Sequence, residues 1–132
     1  MKVLITYKEI ADYIENQYKV RLKFASTDSR SIEISCKPKI FLPDICVKLT
    51  IKAMRKDIIC LSYACSQAVS LIFSGIVSYL QEKLPRGITI NAADHRIDVY
   101  PQRIKQIEKI LSVAELSDIT FGDNEVIVEL IV

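Results

Sequence analysis

The stretch CLSYACSQAVSLIFSGIVSYL, residues 60–80, carries serine at positions 62, 66, 70, 74 and 78 and no charged residue, in a chain that is 26% charged. Its first part alternates, with Ile59, Leu61 and Tyr63 apolar and Cys60, Ser62 and Ala64 small, which is the period of a strand. From Ser66 the period becomes that of a helix, which runs to Leu84 and is stopped by Pro85 and Gly87. Ser66, Ser70, Ser74 and Ser78 then share one face, and Ile72, Phe73, Ile76 and Leu80 share the other. A surface helix would fill its second face with Lys and Glu. A row of serines, whose hydroxyls can bond back to carbonyls four residues earlier, suits burial on both sides. Three occupants of the serine face follow: the protein's own core, the same face of a second copy, or an apolar ligand.

A membrane span is the other claim on this stretch, because Ile58–Leu80 is uncharged and about 20 apolar residues suffice. Five serines and Gln67 weaken it, and basic residues flank both ends, Arg55 and Lys56 before it and Lys83 and Arg86 after it. A transmembrane span is therefore not favoured, although contact with a membrane surface is compatible with the sequence.

The chain has 132 residues, enough for one domain with its own core, so residues 1–132 are read as a single domain. Half of the residues are hydrophobic, only three are Gly and four Pro, and the mean hydropathy is +0.22. Such a composition excludes disorder and suggests more apolar surface than one ordinary core uses. The cysteines at 36, 46, 60 and 65 form no C-x-x-C pair and have no histidine nearby, so the pattern implies no metal. The N-terminus MKVLITYKEI is too short in apolar residues for an export signal, and reduced thiols in a cytoplasmic protein are expected.

Around the central stretch the elements are mostly hairpins. Thr6-x-x-Glu9 is a capping box that opens a helix with Ile10, Tyr13 and Ile14 on one face. Val20, Leu22 and Phe24, then Ile32, Ile34 and Cys36, alternate with polar residues about the turn STDSRS. Val47, Leu49 and Ile51 repeat the alternation, turn at MRKD and return through Ile59 to Tyr63. Ile88 and Ile90 with Ile97 and Val99 form a hairpin about AADH, and Pro101 opens a helix carrying Ile104, Ile107, Leu111 and Ala114. Ile119–Phe121 and Val126–Val132 close the chain as a hairpin about GDN. The expected fold is α+β: a curved antiparallel sheet built from hairpins, packed around a long central helix, with two shorter flanking helices. In element order alone this resembles helix-grip and tubular lipid-binding domains, a resemblance that implies a lipid-like ligand between helix and sheet.

Charge is unevenly placed. Residues 19–56 hold ten bases against three acids, and after Lys109 there are five acids and no base. Lys19, Arg21, Lys23, Lys48 and Lys52 fall on the outward parity of neighbouring hairpins and are candidates for a surface that meets an anionic partner. No aromatic interleaves with them to stack bases, so nucleic acid is not favoured.

Chemistry finds little support. No phosphate-cradling glycine loop and no metalloprotease motif occurs, so no cofactor is implied. His95 sits in a turn beside Asp94, whose side chain should point the other way, and the carboxylate pair Asp94 and Asp98, which could do acid–base work, has Arg96 and Arg103 nearby, as in a surface ion-pair cluster. No catalytic residue is assigned; an enzyme would need a cleft joining His95 to Asp98, or a reactive Cys36 or Cys46. The loop KPKIFLPDIC, residues 37–46, places Phe41 and Leu42 between two prolines and behind two lysines, as a lid or mouth would. The function expected is a non-catalytic binding module for a hydrophobic or lipid-like small molecule, with Phe41, Leu42, Ser70, Phe73, Ser74 and Ser78 at its site. The alternative is a self-associating protein, a homodimer through the serine face.

Overall fold

A computed structural model of the protein describes residues 1–36, 45–55, 57–66, 84, 86–104 and 107–132. The strands are β1 (Lys2–Thr6), β2 (Leu22–Asp28), β3 (Ser31–Cys36), β4 (Ile45–Met54), β5 (Ile59–Cys65), β6 (Ile88–Asn91), β7 (Arg96–Val99), β8 (Glu115–Phe121) and β9 (Glu125–Ile131). Helix α1 spans Tyr7–Tyr18, a 3-10 turn Pro101–Arg103, and the one-turn helix α2 Glu108–Leu111.

These strands make two antiparallel sheets, one of six strands in the order β2-β3-β4-β5-β7-β6 and one of three in the order β1-β9-β8. That corrects the expected fold. The described chain is mostly β, it has two sheets instead of one curved sheet around a central helix, and α1, at the N-terminus, is its only helix longer than one turn. The physical reason is a pairing between distant segments: β1 lies in register with β9, from Lys2 opposite Glu129 to Thr6 opposite Glu125, and this splits a second sheet from the first. The resemblance to helix-grip domains falls with the correction. Residues 67–83, which hold most of the predicted long helix, lie outside the described residues.

The hairpins form as their alternation predicts. Leu22, Phe24 and Ser26 stand opposite Cys36, Ile34 and Ile32, and β3 pairs with β4 from Ser31 opposite Thr50 to Cys36 opposite Ile45. The rows continue across β5, β7 and β6, so that Ile59, Val99 and Ile88 align, as do Leu61, Ile97 and Ile90. One face of the large sheet is therefore mostly apolar and the other small or polar, since neighbours along a strand point to opposite sides. In the small sheet Val3, Val128 and Ile119 form one row and Ile5, Val126 and Phe121 the next.

Helix α1 starts where the capping box puts it. Glu9 N–H donates to Thr6 Oγ1 at 3.1 Å, and Glu9 Oε1 accepts from Thr6 N–H at 3.4 Å. It ends at Lys19, in the left-handed region with φ 59°. The expected single helix after Pro101 is corrected: Ile104 is extended, with φ −83° and ψ 115°, between the 3-10 turn and α2. The chain is held back against the start of β6 there. Tyr100 N–H donates to Gly87 O at 2.7 Å, and Gly87, at φ 102°, lies so close that a Cβ would sit 2.8 Å from Tyr100 O.

Polar contacts fasten the small sheet to the large one along the edge of β8. Arg30, in the β2–β3 turn, donates to Asp118 Oδ1 and to Ile119 O, each at 2.7 Å, and Phe121 N–H donates to Ser29 O at 2.9 Å. Tyr7 completes the junction: its ring stacks on Phe24 at 5.6 Å, and its hydroxyl donates to Gly122 O at 2.6 Å. Burial raises the Tyr7 phenol above its ordinary range, and the nearby carboxylates of Glu125 and Asp123 add to the effect.

Candidate functional site: an apolar cavity between the sheets

Beyond that junction the sheets do not close completely. A cavity of about 320 Å³ is left between them. From the small sheet come Val3 and Ile5 of β1, Leu116 and Ile119 of β8, and Val128 and Leu130 of β9. Ile59, Val99 and Pro101 face them from the large sheet and the turn that follows it. Ile107, Ile110 and Leu111, at and before α2, form the remaining wall.

The sequence builds these walls by register. Val3, Val128 and Ile119 are in one cross-strand row, Leu130 is opposite Leu116, and Ile59 is opposite Val99, so each group presents aliphatic side chains on a single face. Among the described residues no polar side chain lines the space. Its volume equals about ten waters at roughly 30 Å³ each, and none of them would find a side-chain hydrogen-bond partner in the wall. Such a space is suited to an apolar occupant. It is not sealed: Ile110 is 46% exposed, and Val3 and Ile5 are exposed as well. A larger hollow of about 460 Å³ beside Gln102, Ser112, Glu115 and Val132 is mixed in character and opens onto an exposed surface, so it offers less to a ligand.

The residues expected at a ligand site are placed differently. Phe41, Leu42, Ser70, Phe73, Ser74 and Ser78 lie outside the described residues. Of the basic candidates, Lys23 and Lys48 share the polar face of the large sheet, and Glu33 stands directly opposite Lys48. Lys19 caps α1, Arg21 lies 3.5 Å from Glu15, and Lys52 sits at a β-bulge where the β4–β5 register shifts.

His95 and its neighbours have structural partners. The imidazole stacks on the buried Tyr63 ring at 5.1 Å, with 12° between the planes. Asp94 is tied to Asn91, accepting from Nδ2 at 3.0 Å and donating its backbone N–H to Oδ1 at 3.1 Å. Asp98 pairs with Arg96 at 3.1 Å, while its Oδ1 is buried with no hydrogen-bond partner among the described residues. The four cysteines are unbridged, and no cluster of three or more His, Cys, Asp or Glu that could hold a metal ion occurs among the described residues. Among those residues no helix is long and apolar enough to cross a membrane.

The cavity residues escaped sequence reasoning although the signal was present. Val3 and Ile5 alternate with Lys2 and Thr6, but the neighbouring capping box draws the eye to a helix, and the strand becomes evident only with its partner β9. The chain matches no protein-family model, no curated protein and no solved structure. The cavity therefore has to be interpreted from its own chemistry.

Proposed function

We propose that the protein is a non-catalytic binding module that holds a hydrophobic or lipid-like molecule in the cavity between its two sheets. The observation that carries this is a 320 Å³ space whose described lining residues are all aliphatic. A ligand that fills it removes apolar wall from water at about 25 cal/mol per Å² without desolvating any polar wall side chain. Specificity in such a site comes from length and shape, because the described wall residues include no side chain with which to hold a headgroup. A headgroup would stay at the open side, by Ile110.

A cytoplasmic setting belongs to the same proposal, and the four unbridged cysteines support it. Native mass spectrometry of the protein as purified, followed by titration with a fluorescent fatty acid, tests the proposal. The expected result is an apolar adduct that strips off on activation, or one saturable site per chain once the cavity has been emptied. A bare chain that takes up no fatty acid would refute it.

A further inference from the structure

The exposed edge of β1 carries a second surface, one that does not depend on what fills the cavity. Antiparallel pairing makes alternate residues face the neighbouring strand. Met1 and Leu130 exchange main-chain hydrogen bonds at 2.9 and 2.8 Å, and Tyr7 N–H donates to Asn124 O at 3.0 Å, so the odd-numbered residues of this segment face β9. Lys2, Leu4 and Thr6 consequently turn their main-chain N–H and C=O groups outward. Thr6 N–H is taken by the Glu9 carboxylate, and its carbonyl begins α1. Lys2 and Leu4 are left with two outward donors and two outward acceptors, and no described strand pairs with that edge. The Leu4 side chain is 59% exposed.

We infer that β1 is the docking edge for a second copy of this chain, antiparallel, with the two-fold axis at Val3. In that register Lys2 of each chain faces Leu4 of the other. All four outward groups of each chain are paired, and Val3 meets the partner subunit's Val3 on the cavity side. A register centred on Leu4 would instead require the Thr6 N–H that the helix cap already uses. No like charges stand directly opposite one another, and Lys2, the usual guard of an open edge, lies 3.7 Å from Glu129 of its own sheet.

The assembly closes at two. The contact is isologous, the same edge of each chain meeting its own copy, and the Ile119–Phe121 end of the opposite edge, β8, is already held by Ser29 and Arg30 of the same chain. The contact also covers the open side of the cavity beside Val3. It is short, so it belongs with weak interfaces.

Sedimentation analysis up to high micromolar concentration, on the wild type, Leu4→Lys and Leu4→Glu, tests the inference. Leu4→Lys sets a lysine against the partner's Lys2 at both ends, and the dissociation constant should rise roughly tenfold. Leu4→Glu sets a carboxylate there, and the constant should fall. Both substitutions are on an exposed side chain, and unchanged thermal melts of the dilute proteins would confirm that each chain still folds. A wild type that stays monomeric throughout, or a dimer indifferent to both substitutions, would overturn the inference.

Discussion

The two sheets meet in two ways. Along β8 they are held by directional contacts, Arg30 to Asp118 and Ile119 and Phe121 to Ser29, with the Tyr7 ring stacked on Phe24 beside them. Between β1, β5 and α2 the described residues that face each other across the gap are aliphatic, and a cavity remains. Hydrogen bonds fix a spacing because they lose strength steeply with distance and angle. Dispersion and hydrophobic burial accept a range of separations, so an apolar contact next to a polar latch can stay partly open. The latch sets how far apart the sheets stand, and the cavity is the space left by that setting.

The largest effect expected is on the apolar side. Leu130 is only 6% exposed and lines the cavity, so Leu130→Ala should cost about 3 kcal/mol in chemical denaturation and enlarge the empty space. A cost under about 1 kcal/mol would mean that the cavity wall is not part of the core. On the latch, Arg30→Ala removes two donors from partly exposed acceptors and should cost about 1 kcal/mol. The same variant should raise hydrogen exchange at Phe121 N–H, whereas an unchanged exchange rate would show that the latch does not hold the junction.

Tyr7→Phe should cost a similar amount, about 1 kcal/mol, and it also reports on pH. The native phenol holds its proton above the ordinary tyrosine range of about 10, while the unfolded chain releases it there. The native state then binds more protons than the unfolded one, so stability falls as pH rises past about 10. Tyr63, also raised by burial, contributes in the same direction. Tyr7→Phe should make this alkaline decline shallower, and a decline of undiminished slope would remove Tyr7 as its source. Val128→Phe, which fills part of the cavity, should leave the stability within about 1.5 kcal/mol of the wild type.

Much of the large sheet was legible because its strands are half-buried and their alternation is local. Leu22, Phe24, Ile32, Ile34, Val47, Leu49, Ile59 and Leu61 each stand on the face that their parity assigns. The small sheet was half legible: the β8–β9 hairpin has a local turn, whereas β1 pairs with a strand at the far end of the chain, and no local pattern records that partner. After Pro101 the sequence misleads, because Ile104, Ile107 and Leu111 keep helical spacing while Gly87 and Tyr100 hold the backbone in another path. The idea of an apolar site came from composition, but its position could not, because a cavity between two sheets depends on which strands pair. Val3, Ile59 and Val128 are distant in sequence and ordinary one by one.

The most direct test of the cavity is a titration of wild type and Val128→Phe with a fluorescent fatty acid, each protein first stripped of adducts and shown to be folded. Saturable binding at one site per wild-type chain, lost or greatly weakened in Val128→Phe, is the expected result. Equal uptake by both proteins, or none by the wild type, would contradict the assignment of the inter-sheet cavity as the binding site.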